Sequence, residues 1–214
     1  MRTGREVVID NLDKFYTHPD IAKMFVDKIN EICPLADFDM VLEPSAGSGN
    51  MLRYLPDNAI GMDLKPTDSI RVGQTQILQQ DFFEYKSPYD PLTNPIKIAV
   101  VGNPPFGTGY MNPLAKGFFN HSAKFAHIIA FIVPAKYQSS WKVHKQLDPD
   151  FGLYFSEILP KNSFVKDGKP HDVNCCMQIW SKVNMGEDLR IRKIPPTKHD
   201  DFDIFLTCDN VARR

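Results

Sequence analysis

Apolar positions in this chain follow two rhythms. Ile21, Phe25, Ile29 and Ile32 recur at helical spacing and predict an amphipathic helix ending near Pro34. Phe15 to Asp20 opens it: Thr17 is the expected N-cap, Asp20 completes a capping-box pattern, and Pro19 suits the first turn. Short apolar runs follow, at Met40 to Pro44, Ala59 to Leu64, Lys97 to Gly102 and His127 to Pro134, and Thr75 to Gln80 reads as a further strand closing on Asp81. Runs of this length without alternation mark strands buried on both faces. Helical stretches are expected up to Tyr54, over Leu114 to Phe125 and over Ser139 to Leu147, and Ser87 to Pro95 reads as a surface loop. Leu153 to Leu159 and Val173 to Val183 predict a final strand pair, joined by a loop at Pro160 to Asp172. Alternating strands and helices predict an α/β fold with a doubly wound sheet.

The chain has 214 residues and is 43% hydrophobic, enough for one domain with a sizeable core. Its formal net charge of −1 gives no global attraction to a polyanion. The distribution is uneven: residues 1–112 carry −5 and residues 113–170 carry +4. The middle block could thus present a weakly basic face, or a plain solvated one. Cys33, Cys175, Cys176 and Cys208 lack paired metal spacing, so no metal is expected. Cys175 and Cys176 are strand neighbours and should point to opposite faces as reduced thiols, which favours an intracellular location, cytoplasmic or nuclear, over secretion. Met1 to Asp10 has no apolar core for a signal peptide, and no run is long enough to span a membrane.

The chemistry gathers where strands end. Ile98 to Gly102 stops at Asn103-Pro104-Pro105-Phe106-Gly107. Two prolines lock φ and donate no hydrogen bond, so the chain leaves the sheet in a stiff shape. It offers two acceptors, the Asn103 side-chain oxygen and the Pro104 carbonyl, beneath an aromatic ring. In open α/β sheets ligands bind at this end of the strands. The first strand closes on Glu43, then turns through Ser45-Ala46-Gly47-Ser48-Gly49, where glycines let a ligand approach the backbone. Neither dinucleotide nor P-loop spacing is present, and Glu43 is hostile to phosphate but suited to a cation. Asp63, ending the second strand, can accept ribose hydroxyls; alone it would read as a surface acid. Asp81, with Phe82 and Phe83, pairs an acceptor with aromatic faces as an adenine would require, although core packing of at least one ring is the plainer reading.

Taken together, these four strand ends resemble the class I S-adenosylmethionine-dependent methyltransferases over about residues 15–183. Asn103-Pro104-Pro105-Phe106 is similar to the catalytic motif of amino-methyltransferases of the N6-adenine type. Phe15-Tyr16-Thr17-His18-Pro19 resembles the element that closes over the methionine end of the cofactor, in a gamma-like motif order. The resemblance implies a Rossmann-like seven-stranded sheet, mostly parallel with an antiparallel C-terminal strand pair. It implies S-adenosylmethionine as cofactor, held by Tyr16, Thr17, Glu43, Ser45, Ala46, Gly47, Gly49, Asp63, Asp81 and Phe82. Catalysis would fall to Asn103, Pro104, Pro105 and Phe106, and substrate contact to Phe164 and Lys136. Phe164, amid three lysines, reads either as a base-stacking ring or as a hairpin Phe tucked onto the sheet. Lys142, His144 and Lys145 could continue a phosphate track from Lys136, but a solvated helix face is the plainer account.

The expected substrate is the exocyclic amine of adenine in nucleic acid, DNA ahead of RNA. The alternatives are a protein glutamine amide and a catalytically silent scaffold. Phe106, where glutamine-modifying relatives typically carry Tyr, favours a nucleobase. Residues 1–14 read as an extension and 184–214 as a tail too short for a target-recognition domain. Recognition would then come from loops, from a protein partner, or from natural chain beyond Arg214.

Overall fold

The computed structural model describes residues 15–66, 71–72, 75–107, 113–166, 168–194, 205–206 and 212–213. The expected N-terminal extension, most of the tail and Cys208 lie outside the described residues.

The apolar runs become one seven-stranded sheet. Its strands are β2 (Met40–Glu43), β3 (Ala59–Asp63), β6 (Leu78–Gln79), β7 (Ile98–Gly102), β8 (Ile128–Pro134), β9 (Gly152–Ile158) and β12 (Cys175–Ser181), in the order β6-β3-β2-β7-β8-β12-β9. β6 through β8 pair in parallel, while β12 runs antiparallel to both β8 and β9. The doubly wound sheet with its antiparallel C-terminal pair is thus as the sequence predicts.

Strand alternation splits the core in two. Val41, Ala99, Val101, Ala130, Ile132 and Cys175 face α1 (Pro19–Ile32), which buries Ala22, Phe25, Val26 and Ile29. Leu42, Ile98, Val100, Ile129, Phe131, Cys176 and Trp180 face α2 (Pro113–Ser122), which contributes Ala115, Phe118 and Phe119. Cys175 and Cys176 take opposite faces, as expected of strand neighbours. Among the described residues no helix is long and apolar enough to cross a membrane, and no group of three His, Cys, Asp or Glu is arranged to hold a metal.

Four local expectations change. His18, not Thr17, is the N-cap of α1: its Nδ1 accepts the Asp20 N–H at 3.3 Å. Thr17 is instead taken by β1 (Tyr16–Thr17), whose pairing with β10 (Phe164–Lys166) leaves it 5% exposed. The third strand is shorter than Thr75 to Gln80, because a small antiparallel pair, β4 (Arg71–Val72) with β5 (Thr75–Gln76), precedes β6. The helix expected over Ser139 to Leu147 is a 3₁₀ turn, Ala135–Gln138, followed by the single turn α3 (Trp141–His144). The loop expected at Pro160 to Asp172 contains a hairpin of β10 and β11 (Lys169–His171), which with β1 makes a separate three-stranded sheet.

Residues 184–194 also pack on the fold. The Leu189 N–H donates to Leu153 O at 2.8 Å, and Leu153 N–H donates to Asp188 Oδ1 at 2.9 Å. Arg190, 8% exposed, donates to the carbonyls of His144, Leu147, Asp148 and Phe151 at 2.6–2.8 Å. Contacts with the fold thus continue past Val183, as far as Arg192.

Candidate active site

Every parallel strand points its C-terminal end the same way, so Glu43, Asp63, Gly102 and Pro134 rise at one edge. The turn after β2 is built by glycine. Gly47 (φ +52°) and Gly49 (φ +72°) adopt left-handed backbone that other residues reach only at a cost. A Cβ on Gly47 would lie 2.9 Å from Tyr16 Cε1 and 4.0 Å from Asp63 Oδ2. The Tyr16 ring therefore covers the turn from above and Asp63 bounds it at the side. Asp63 ties the two strand ends together, accepting the Gly47 N–H at 2.9 Å and the Lys65 N–H at 2.8 Å. Each of its oxygens keeps a further lone pair. Ala46 N–H donates to Met62 O at 2.9 Å, which completes the union of turn and second strand.

Glu43 lies beneath this turn, 3% exposed, with Oε2 buried and without a hydrogen-bond partner among the described residues. Burial, and secondarily the charge of Asp63, push its carboxyl from 4.5 up to about 8, against a bond from the Leu52 backbone. A buried acid of this kind is costly to ionise unless a cation is beside it.

The stiff corner after β7 sits against the same turn. A Cβ on Gly102 would touch Pro44 Cδ at 3.4 Å, Glu43 Cγ at 3.7 Å and Ser45 Oγ at 3.7 Å. The Ser45 hydroxyl donates to the Asn103 main-chain carbonyl at 3.0 Å. The Asn103 side chain donates through Nδ2 to the Phe15 carbonyl at 3.3 Å. A carbonyl can only accept, so this bond fixes which way round the amide lies. Its Oδ1 is buried and has no partner among the described residues. Pro104 is buried, and Phe106, half-buried, packs against both halves of the core.

The remaining candidates divide. Thr17 lies near the turn, its carbonyl accepting Asn50 Nδ2 at 2.8 Å. Asp81 caps a 3₁₀ turn, Phe82–Glu84, accepting the Phe83 N–H at 2.8 Å. Phe82 is 2% exposed and packs on Phe118 and His121 at centroid distances of 5.0 and 4.8 Å. That corrects its expected role, since the ring has no open face for an adenine. Phe164 is corrected too. It is 0% exposed and belongs to the core, because β10 pairs with β1 and drives the ring inward. Lys136 follows β8 on the functional edge and is half-buried; Lys142 and Lys145 are on and just after α3, whereas His144 is wholly buried. The sequence reading gave no site role to His171, whose ring stacks on that of Phe15 at 4.8 Å and 17°, while the Phe15 main-chain carbonyl holds Asn103. Pairing of Phe164 with His171 across the hairpin creates that contact, and no local pattern announces it.

No family model matches the sequence, and no curated protein matches it. Solved structures do share the fold. A candidate RNA methyltransferase of Pyrococcus horikoshii superposes with a TM-score of 0.58 at 16% identity, over 81% of this chain and 88% of that one. A candidate class I S-adenosylmethionine-dependent methyltransferase of Listeria monocytogenes gives 0.57 at 16% identity, over 86% and 64%. The methyltransferase subunit of a type I restriction-modification system of Streptococcus thermophilus gives 0.53 at 16% identity, over 84% of this chain but only 47% of its own length. The chain therefore has the fold of class I S-adenosylmethionine-dependent methyltransferases, and it spans about half of the restriction-modification subunit.

Proposed function

We propose that this chain binds S-adenosylmethionine at the Glu43–Gly49 turn and methylates the exocyclic amine of adenine in nucleic acid. The single observation that carries this reading is Asn103 Oδ1. A buried acceptor without a donor costs about 1–3 kcal/mol, and at the strand end where open α/β sheets bind ligands such an acceptor suits an N–H of the target amine. The cofactor fits the turn on separate grounds. Gly47 leaves no room for a side chain under Tyr16, and unpartnered Glu43 Oε2 suits a cationic ligand.

When bound, S-adenosylmethionine supplies a methyl group on a sulfonium, an electrophile with its leaving group already activated. The residues then have to make the amine a nucleophile. Its lone pair is delocalised into the ring, so the nitrogen must be drawn towards tetrahedral geometry. Asn103 Oδ1 and the Pro104 carbonyl would take its two N–H groups, freeing the lone pair to face the methyl. Transfer would form the C–N bond as the C–S bond breaks, and the nitrogen would then lose one proton to solvent. Positioning in a fixed polar frame carries such a reaction. Pro104 and Pro105 keep the frame stiff, and Phe106 offers a ring to a base that is single-stranded or flipped out of a duplex. Two of the structural relatives are described as acting on RNA or in restriction-modification, which agrees with a nucleic-acid substrate.

The test is methyl transfer from labelled cofactor to DNA, RNA and protein pools, with Asn103→Ala alongside. Label is expected in nucleic acid, with DNA ahead of RNA, falling at least ~100-fold in the variant while cofactor binding by calorimetry persists. Label confined to protein would replace the substrate, and absence of cofactor binding would leave a scaffold.

A further inference from the structure

Resting on the assignment of Asn103 as the acceptor for the target amine, we infer that His171 is a positioning residue for the Asn103 amide, acting through Phe15. Four observations form the chain. Asn103 Nδ2 is held by the Phe15 carbonyl, 88 residues away in sequence. The Phe15 ring is stacked on His171, with Lys166 Nζ 5.1 Å from the ring centroid. The backbone after Phe15 is pinned to the same hairpin, by the register Tyr16↔Val165 and Thr17↔Phe164 and by the His18 N–H to Ser163 O bond at 2.9 Å. His171 itself is exposed and stands outside the core.

The physical consequence follows from the weakest link. The Nδ2 to Phe15 bond is long, so small displacements of Phe15 decide whether it forms. β1 is only two residues and begins at Tyr16, which leaves Phe15 outside the ladder. Phe15 packs against the core on one side, and the stack on His171 adds a restraint on its outer side that the ladder does not supply. Without it the amide can rotate, and Oδ1 no longer sits as a fixed acceptor.

His171→Ala is therefore expected to lower kcat by roughly three- to tenfold, the scale of one stacked aromatic pair, with little change in KM for the cofactor and little change in melting temperature. His171→Phe restores the stack and should recover most of kcat. A second readout needs no activity: the Asn103 side-chain amide resonances of the wild type should be distinct and slowly exchanging. In His171→Ala they should move towards free-amide values, and in His171→Phe they should stay. Unchanged kcat and amide signals in His171→Ala, or equal loss in both variants, would overturn the inference. If the wild type methylates no nucleic acid yet its Asn103 amide still responds to His171→Ala, the positioning role stands and the substrate reading falls.

Discussion

Glu43 is the residue whose surroundings conflict most with its chemistry. Its carboxyl is buried beneath the glycine turn, one oxygen is unpartnered, and its pKa is raised from 4.5 to about 8. The folded protein thus holds this proton over a pH range in which the unfolded chain releases it. Stability from this group is full below about pH 4.5 and declines as pH rises towards 8, by ~1.4 kcal/mol per unit at most and a few kcal/mol in total. Chemical denaturation of the apoprotein at pH 5 and pH 8 checks this: Glu43→Gln should flatten the decline. A cationic ligand reverses the preference by favouring the carboxylate. Binding of S-adenosylmethionine near neutral pH should therefore release a proton, read in calorimetry as an enthalpy that varies with the ionisation enthalpy of the buffer. The same titration on Glu43→Gln should show no such variation.

Elements explain what the sequence could and could not reveal. The central strand ends were legible because an apolar run halts there, as Gly102-Asn103-Pro104 halts β7. The hairpin at β10 and β11 was not legible. Its strands are three residues each, and their partner β1 lies about 150 residues away, so the pairing exists only once the sheet has brought both to one edge. Phe164 and Phe82 were misplaced for the same reason: an aromatic near a strand end can face ligand or core, and only tertiary packing decides. Arg190 was hidden as well, since nothing in a charged segment signals that one guanidinium will cap four carbonyls left by the 144–151 turns. No carboxylate bonds to that guanidinium among the described residues; the four carbonyls and the Trp180 ring, 5.7 Å away, face it, and Asp188 and Asp148 act on it through space. Arg190→Leu should strand those carbonyls and cost about 2–4 kcal/mol in urea unfolding, while Arg192→Leu, whose ion pair with Asp188 is half-exposed, should cost below ~1 kcal/mol.

At the scale of the whole molecule, five lysines follow the ends of the strands that carry the site. Lys116 opens α2 just after the Asn103 corner, Lys136 follows β8, and Lys161, Lys166 and Lys169 belong to the hairpin segment after β9. All of these positions fall at the C-terminal ends of the parallel strands, around the site. Lys116 and Lys136 are close enough that their repulsion adds to burial in lowering the Lys136 pKa. A net charge of −1 gives no distant attraction, so a polyanion would be held by this rim alone. Three to four phosphates at ~0.7 counterions each predict a slope of about −2 to −3 for the logarithm of single-strand affinity against that of salt concentration. Between 50 and 200 mM salt, affinity for a short oligonucleotide should thus fall by roughly thirtyfold. Replacing exposed Lys161 and Lys169 with Gln should make the slope shallower by about one, with cofactor affinity unchanged. A slope near zero in the wild type would mean that the rim does not carry phosphate, and that the base alone, or a protein partner, brings the substrate to Asn103.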